Sequence, residues 1–289
     1  EITCRDWSSD VCSSDLRPNF HWTTTLTMSH NDQMVDDIGS EDFISAYDSP
    51  GNNSYMMYGY VKGYPLNSLW GFKYGGTWKN ADERKENEIT KTYVSVSNTD
   101  GGARYYDVNH DGVMSREDLI YQGNADPYLY GGLQNTFYIH GFKLGVYFAY
   151  SLGGKIYNYS EIYMAGSQFA NQYRYMLNAW HPVRNPNSDI PRAGAKSDAA
   201  LPSDFMIHDA SYLRLKNITL SYTFDLKKKC SWMKDLTLSV SGENLFLWKK
   251  YNGFDPDVSS EGTSSTLRRM DLGAYPKPRT IIFSLQLRY

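Results

Sequence analysis

One loop of the chain carries oxygen-bearing residues at the spacing that binds calcium. Residues 107–118 read DVNHDGVMSRED, with a glycine at loop position 6, where a sharp turn is needed. Hard oxygen ligands at positions 1, 3, 5, 7, 9 and 12 can converge on one Ca²⁺ ion. The predicted ligands are Asp107, Asn109, Asp111, the carbonyl of Val113, Ser115 and Asp118. We expect a structural role for the ion rather than a signalling role.

Two features of this loop depart from the usual calcium loop. Position 12 is Asp118, whose side chain is one methylene shorter than the usual bidentate glutamate, and no amphipathic helix is evident on either side. The alternative interpretation is an acidic surface turn that holds no ion.

No other set of residues has the spacing of a catalytic or metal site. The six His and three Cys residues form no metal-binding pattern, and the adjacent Glu117 and Asp118 fit loop ligands better than an acid–base pair. We therefore predict no enzymatic activity. Trp248, Tyr251 and Phe254 could stack on sugar rings, but an interfacial aromatic girdle or loop packing is the favoured interpretation.

The composition suits a boundary between water and an apolar phase. Aromatic residues make up 15 % of the 289 positions, with 25 Tyr and 7 Trp, whereas the mean hydropathy is −0.56. Amphipathic aromatic side chains are typical of such a boundary. The net charge of −3 gives no reason to expect nucleic acid as a partner. The basic run at 227–229 is best interpreted as a solvated turn rather than a headgroup contact, and no apolar run is long enough for a transmembrane helix.

The elements that would position these residues are β-strands. In the closing stretch, 281–289, apolar residues alternate with mostly polar ones, which predicts a strand with two different environments. Similar alternation predicts strands at residues 19–29, 133–139, 142–151, 209–224 and 236–247. His140 and Gly141 form a predicted two-residue turn. In contrast, 152–207, with a helix-compatible middle at 161–180, and 248–279 are long connections. Short and long connections at opposite ends are typical of outer-membrane barrels.

Three stretches lack a clear period. Residues 31–37 are predicted to form a polar turn, and 78–90 are polar and charged without a predicted element. Residues 6–16, DWSSDVCSSDL, resemble the in-frame translation of a sequencing-library adapter. We therefore predict a non-native segment at 1–17, without the pattern of a signal peptide, followed by one barrel unit at 18–289.

Five motifs of the chain resemble one family of membrane proteins. They are DVNHDGVMSRED at 107–118, NADPYLYGGLQN at 124–135, DASYLRLKNITLSYTF at 209–224, SGENLF at 241–246 and PKPRTIIFSLQLRY at 276–289. In this order they resemble the C-terminal half of SusC/RagA-type TonB-linked outer-membrane transporters. The resemblance runs from about residue 20 to the end of the chain, and SYLRLKNITLSY is its most specific part.

The resemblance implies an all-β fold. The chain would be an antiparallel transmembrane β-barrel segment with roughly 8–10 of about 22 strands and long extracellular loops. It implies the Gram-negative outer membrane as location and import of oligosaccharides or peptides as activity. A SusD-like surface lipoprotein would act as lid, and TonB would supply energy. The plug and the TonB-contacting region lie N-terminal in this family and match nothing here, so we expect a fragment that does not transport alone.

For the closing strand, the resemblance implies which face meets lipid. It places Ile281, Phe283, Leu285 and Leu287 against lipid, and Ser284, Gln286 and Arg288 toward the lumen. It also makes Tyr289 the terminal aromatic that barrel-assembly machinery recognises, and it pairs the strand with the one at 236–247.

A secreted, calcium-stabilised β-sandwich that binds glycans is the alternative. A Tyr-rich composition and a calcium loop are compatible with it, but a sandwich more often keeps the connections modest at both ends. Extraction only by detergent would favour the barrel, and a folded fragment that is soluble without detergent would favour the sandwich.

Overall fold

The computed structural model describes residues 2–17, 19–48, 56–164, 171–193, 201–227, 232–258, 260 and 268–289. The strands are β1 Ile2–Arg17, β2 Phe20–Val35, β3 Phe43–Asp48, β4 Met56–Val61, β5 Ser68–Gly71, β6 Tyr74–Thr77, β7 Tyr93–Val94, β8 Ala103–Tyr106, β9 Ile120–Asn124, β10 Leu129–Ile139, β11 Phe142–Leu152, β12 Lys155–Tyr157, β13 Ile207–Asp209, β14 Tyr212–Asp225, β15 Asp235–Lys249 and β16 Thr280–Arg288. The helices are α1 Ala81–Thr90 and α2 Ser160–Met164, with short 3-10 turns at Arg116–Asp118 and Arg174–Asn178. None of the helices in these ranges is both long and apolar enough to cross a membrane.

The long strands form one antiparallel sheet, which we call the wall. Its strand order is β1-β2-β10-β11-β14-β15-β16. Smaller sheets, β3-β4-β5-β9, β6-β8-β7 and β12-β13, are built mainly from the long connections. The predicted all-β antiparallel architecture is thus confirmed. The wall has seven strands in the described residues, fewer than the roughly 8–10 expected, because the strands of the long connections pair in the smaller sheets.

The register of the wall separates apolar from polar side chains. Leu144 lies opposite Leu220, Leu220 opposite Val240, and Val240 opposite Phe283, so one apolar row crosses four strands. On the other face, hydroxyls pair across strands, as in Thr219–Ser241 at 2.8 Å. We call these the outer and the inner face. The outer face carries Phe20, Trp22, Leu26, Leu133, Phe137, Phe142, Leu144, Val146, Ile218, Leu220, Tyr222, Leu238, Val240, Phe283 and Leu285.

The closing strand follows its predicted arrangement. β16 pairs with β15, and Ile281, Phe283, Leu285 and Leu287 lie opposite the apolar positions of β15. Phe283 is 81 % exposed and Leu285 is 64 % exposed. A sandwich would cover this face with a second sheet, but in the described part of the chain it lies open. The buried core lies instead among the smaller sheets, in clusters such as Met57, Tyr58, Leu69, Tyr157, Tyr159, Met206 and Met270.

Short and long connections lie at opposite ends of the wall. His140 and Gly141 join β10 to β11, and both have positive φ, at 47° and 88°. This backbone geometry matches the twist of a two-residue hairpin and confirms the predicted turn. The connections between β2 and β10, β11 and β14, and β15 and β16 all leave from the opposite end. We call these the short-turn end and the long-loop end.

One extra residue interrupts the pairing of β14. Tyr147 pairs with Asn217, whereas the next pair joins Phe148 to Leu215, so Lys216 is unmatched on β11. The register with β15 shifts at the same place. Such a bulge reverses the facing of the residues beyond it. Consequently Ile218 and Leu215 both face outward, although three positions separate them.

Several sequence predictions differ from the structure. Residues 31–35 continue β2 instead of forming a turn, because a strand that leaves the apolar layer can carry polar side chains on both faces. Residues 81–90 form α1, whose N-terminus is capped when Asn80 Oδ1 accepts from the amides of Asp82 and Glu83. The helix-compatible stretch at 161–180 forms only α2 and a 3-10 turn, with 165–170 outside the described residues.

The segment at 2–17 lacks a strand period, but its backbone pairs along β2 without a register shift. The edge of β2 offers unpaired N–H and C=O groups, and any extended segment can use them whatever its side chains are. The adapter origin of residues 1–17 stays a prediction.

A Gly131→Ala substitution tests the contact between β2 and β10. A Cβ at Gly131 would lie 2.0 Å from the carbonyl oxygen of Thr27, which is backbone and cannot rotate away. We expect a loss of about 1–3 kcal/mol in unfolding free energy, as for overpacking, measured by urea denaturation of the complete receptor in detergent. Gly145→Ala is the matched control, because the nearest atom to its Cβ lies at 3.8 Å. Equal urea midpoints for the two variants would contradict the prediction.

Candidate metal centre

The predicted calcium loop connects β8 to β9 within the connection from β2 to β10, so it lies toward the long-loop end. The loop is anchored at its start, where the amide of Asp107 donates to the carbonyl of Thr92 at 3.0 Å. It is also anchored to the C-terminus of α1. Lys91 Nζ lies 2.9 Å from the carbonyl oxygen of Asp111, and His110 Nδ1 lies 3.0 Å from that of Lys91.

Side-chain oxygens in the first half of the loop accept backbone amides. Asp107 Oδ2 accepts from Gly112 at 2.7 Å, and Asp111 Oδ1 accepts from Val113 at 2.6 Å. Asn109 Oδ1 accepts from the amide of Asp111 at 3.2 Å. Gly112 has φ of +82°, a conformation that L side chains rarely adopt. These hydrogen bonds fold the first half of the loop into a tight turn, and the assignment of its oxygens as metal ligands stays a prediction.

Asp118 closes the loop from its far end. Its side chain is fully buried, with Oδ1 accepting from Val108 at 2.9 Å and Oδ2 from Ser115 at 2.9 Å. Ser115 Oγ in turn accepts from Glu117, which completes a capping box on the 3-10 turn. A carboxylate oxygen has a second lone pair, so these bonds leave Asp118 able to contact a cation. Sequence reasoning did not assign this capping role.

One oxygen of the loop has no hydrogen-bond partner among the residues that the structure describes. Asp107 is 2 % exposed, and its Oδ1 is buried without a hydrogen bond. A buried carboxylate oxygen without a donor is costly, and a cation at that position would remove the cost. Among the described residues, no three His, Cys, Asp or Glu side chains are placed to hold a metal ion. Binding of one calcium ion by Asp107, Asp111 and Asp118 would therefore require these side chains to move closer together, with the amide oxygen of Asn109 and the carbonyl of Val113 as further ligands.

A second polar cluster, which the sequence did not predict, joins the last long connection to the wall. Arg214 of β14 and Asp255 have side chains that are 4 % and 2 % exposed, and Arg214 Nη2 lies 2.5 Å from Asp255 Oδ1. Nearby, Tyr251 Oη donates to Asp271 Oδ2 at 2.6 Å. Burial, followed by this bond to Asp271, raises the pKa of Tyr251 well above its ordinary value, so the phenol keeps its proton. We call these four residues the loop latch.

The three candidate stacking aromatics do not form one platform. Tyr251 is buried in the loop latch, Trp248 is 52 % exposed beside Phe246, and Phe254 is 70 % exposed. Their separate environments fit the favoured interpretation of girdle and loop packing.

The wall, with its apolar outer face, hydroxyl-lined inner face and alternating connections, has the architecture of a transmembrane β-barrel. Comparison with known proteins gives the same class. No family model matches the chain. A TonB-dependent receptor of Formosa agariphila is 30 % identical over 295 residues, covering 99 % of this chain and 29 % of that protein. TonB-dependent receptor SusC of Bacteroides thetaiotaomicron is 26 % identical over 280 residues, covering 94 % of this chain and 25 % of that protein.

Solved structures agree on the fold. The structure of the RagAB peptide transporter matches with a TM-score of 0.76 at 19 % identity, over 99 % of this chain and 29 % of that one. The chain spans less than a third of the length of the curated relatives that it matches. Over nearly its whole length the chain is similar to TonB-dependent receptors, SusC among them, as its motifs predicted. The predicted location in the outer membrane is confirmed with it.

Proposed function

We propose that the chain forms part of the barrel wall and outer surface of a TonB-dependent importer of oligosaccharides or peptides. The observation that carries the proposal is the two-faced wall, because lipid requires one apolar face and an aqueous passage requires a polar one. The named relatives are receptors and transporters, which favours transport and gives no reason to assign catalysis. The β-sandwich alternative would need a cover for the outer face.

The proposed partners follow from the same relatives. We assign a SusD-like surface lipoprotein to the long-loop end, since one relative is SusC and the matched structures are of the two-part RagAB transporter. TonB would act through a part of the complete receptor other than this chain.

Uptake by the bacterium tests the importer. Deletion of the complete receptor gene should abolish uptake of at least one fluorescently labelled oligosaccharide or peptide from a panel. Deletion of tonB should abolish uptake of the same compound, whereas deletion of an unrelated receptor should not. Full uptake of the whole panel in the receptor deletion would overturn the proposal.

For the loop at 107–118, the proposal is a structural Ca²⁺ ion. Its support is the buried Asp107 Oδ1, which has no hydrogen-bond partner among the described residues. The hydrogen bonds from backbone amides to the other loop oxygens add to this support. Asp107, Asn109, Asp111, Val113 and Asp118 would hold the ion, which would fix the loop against the end of α1 through Lys91 and His110.

Calcium titration of the complete receptor checks this proposal. Binding heat is expected for the unmodified protein, and calcium at 100 times Kd should add about 2.7 kcal/mol to its stability. Asp111→Ala should abolish both effects. Asp100→Ala is the matched control, because Asp100 pairs with Arg84 outside the loop. Absence of calcium heat in the unmodified receptor, or full retention of it in Asp111→Ala, would refute the metal site.

A further inference from the structure

An apolar groove crosses the outer face of the wall near the short-turn end. It has a volume of about 440 Å³ and is bounded by Phe142 of β11, Leu220 and Tyr222 of β14, Leu238 and Val240 of β15, and Phe283 and Leu285 of β16. Its volume falls within the range of small-molecule sites, which is roughly 300–1,000 Å³. Phe142 and Tyr222 stand at one side, with ring centroids 4.4 Å apart. The groove is thus a depression between large side chains, and Ser221, Ser239 and Ser284 complete its lining.

The surroundings of the groove favour hydrocarbon over water as its occupant. Its large side chains belong to the outer face, which meets hydrocarbon in an outer-membrane barrel, and they are apolar apart from the hydroxyl of Tyr222. An apolar depression in contact with lipid is filled most favourably by an acyl chain, because an empty groove forfeits dispersion contacts on one side.

Although the sequence favoured a solvated turn for the basic run at 227–229, the described residues beside the groove at the short-turn end have the chemistry of a phospholipid headgroup site. Lys227 and Lys234 are exposed, and Trp232 is 67 % exposed. Exposed Trp and Lys side chains at this depth are typical of the membrane–water interface. The amide of Lys234 donates to the carbonyl of Arg288 at 2.8 Å, so Lys234 is fixed to β16, which also lines the groove. Lys234 lies four residues before Leu238, or about 14 Å along a strand.

From this arrangement we propose a specific site for a phospholipid of the periplasmic leaflet. One acyl chain lies in the groove, and the anionic phosphate lies at Lys227 and Lys234. The site depends on the membrane location of the wall and not on the transport proposal. A receptor that bound the lipid and imported nothing would leave it intact.

Native mass spectrometry of the complete receptor in mild detergent tests the groove. The unmodified protein should retain phosphatidylglycerol after delipidation and exposure to vesicles of phosphatidylethanolamine and phosphatidylglycerol. Val240→Trp, which fills the groove, should reduce the retained lipid about tenfold, equivalent to 1.4 kcal/mol. The matched control is Leu133→Trp, which places the same side chain on the outer face of β10, away from the groove. Lys227→Glu combined with Lys234→Glu should remove the preference for phosphatidylglycerol.

A second measurement uses the unmodified receptor and so does not depend on the folding of a variant. Phosphatidylglycerol with a photoreactive acyl chain should crosslink mainly to peptides from β11, β14, β15 and β16. Crosslinks spread evenly over all wall strands would identify only a general lipid contact and would overturn the site. Equal lipid retention by Val240→Trp and Leu133→Trp, or retention of lipopolysaccharide alone, would also overturn it.

Discussion

Asp255→Ala is expected to lower the free energy of unfolding by about 3–5 kcal/mol, because it leaves the guanidinium of Arg214 buried without its counter-charge. Arg214 is 4 % exposed, so water cannot replace the lost carboxylate without opening the wall beside β14. The complete receptor in detergent should therefore show a lower urea midpoint. Its last long connection should become sensitive to protease before the wall unfolds.

A neighbouring ion pair supplies the control for this prediction. Asp257 pairs with Lys277, and the two side chains are 40 % and 43 % exposed, so Asp257→Ala should cost under about 1 kcal/mol. Replacing both members of the buried pair, with Arg214→Met and Asp255→Leu, should recover most of the lost stability, since no unpaired charge remains. If Asp255→Ala and Asp257→Ala have similar midpoints, the buried pair does not hold the connection.

Phe283→Arg and Ser284→Arg are expected to have opposite consequences, although the two residues are adjacent. Phe283 lies on the outer face near the middle of β16, where arginine in contact with lipid costs about 2–4 kcal/mol. Ser284 lies on the inner face, where a charged side chain can remain hydrated. The first variant should assemble poorly, and the second should assemble normally.

Heat-modifiable migration of the complete receptor, extracted from outer membranes, measures this difference. The folded fraction should fall for Phe283→Arg and should stay near the unmodified level for Ser284→Arg. Ser284→Ala and Phe283→Leu are conservative controls that keep each face unchanged. Equal assembly of the two arginine variants would show that the two faces of β16 do not meet different environments.

The wall could be predicted from sequence because its strands obey a period of two. The six strands predicted there correspond to β2, β10, β11, β14, β15 and β16, with ends shifted by a few residues. The turn at His140 and Gly141 could also be predicted, because it lies between two strands of clear period and because few residue types fit positive φ. The smaller sheets were harder to predict from sequence, because strands of two to six residues are too short to show a period.

The turn of the loop at 107–118 was predictable, whereas its metal ligand set stays a prediction. Spacing and residue type predict a sharp turn at Gly112, and the amide of Gly112 donates to Asp107 Oδ2 there. The anchoring by Lys91 depends on where α1 ends, which the charged stretch at 81–90 did not indicate. The contacts of the loop latch could not be predicted from the sequence at all. Arg214 and Asp255 are 41 positions apart, and only the folding of the last long connection brings them together.

The unmatched Lys216 divides β14 into two half-strands of opposite phase. The first half turns Leu213 and Leu215 outward and Arg214 inward, and the second half turns Ile218 and Leu220 outward. A graft or loop exchange that shifts the register of one half by a single position would turn Arg214 toward lipid and separate it from Asp255. A chimeric receptor built from relatives should therefore be joined within the hairpin turns, with both halves of β14 taken from the same parent.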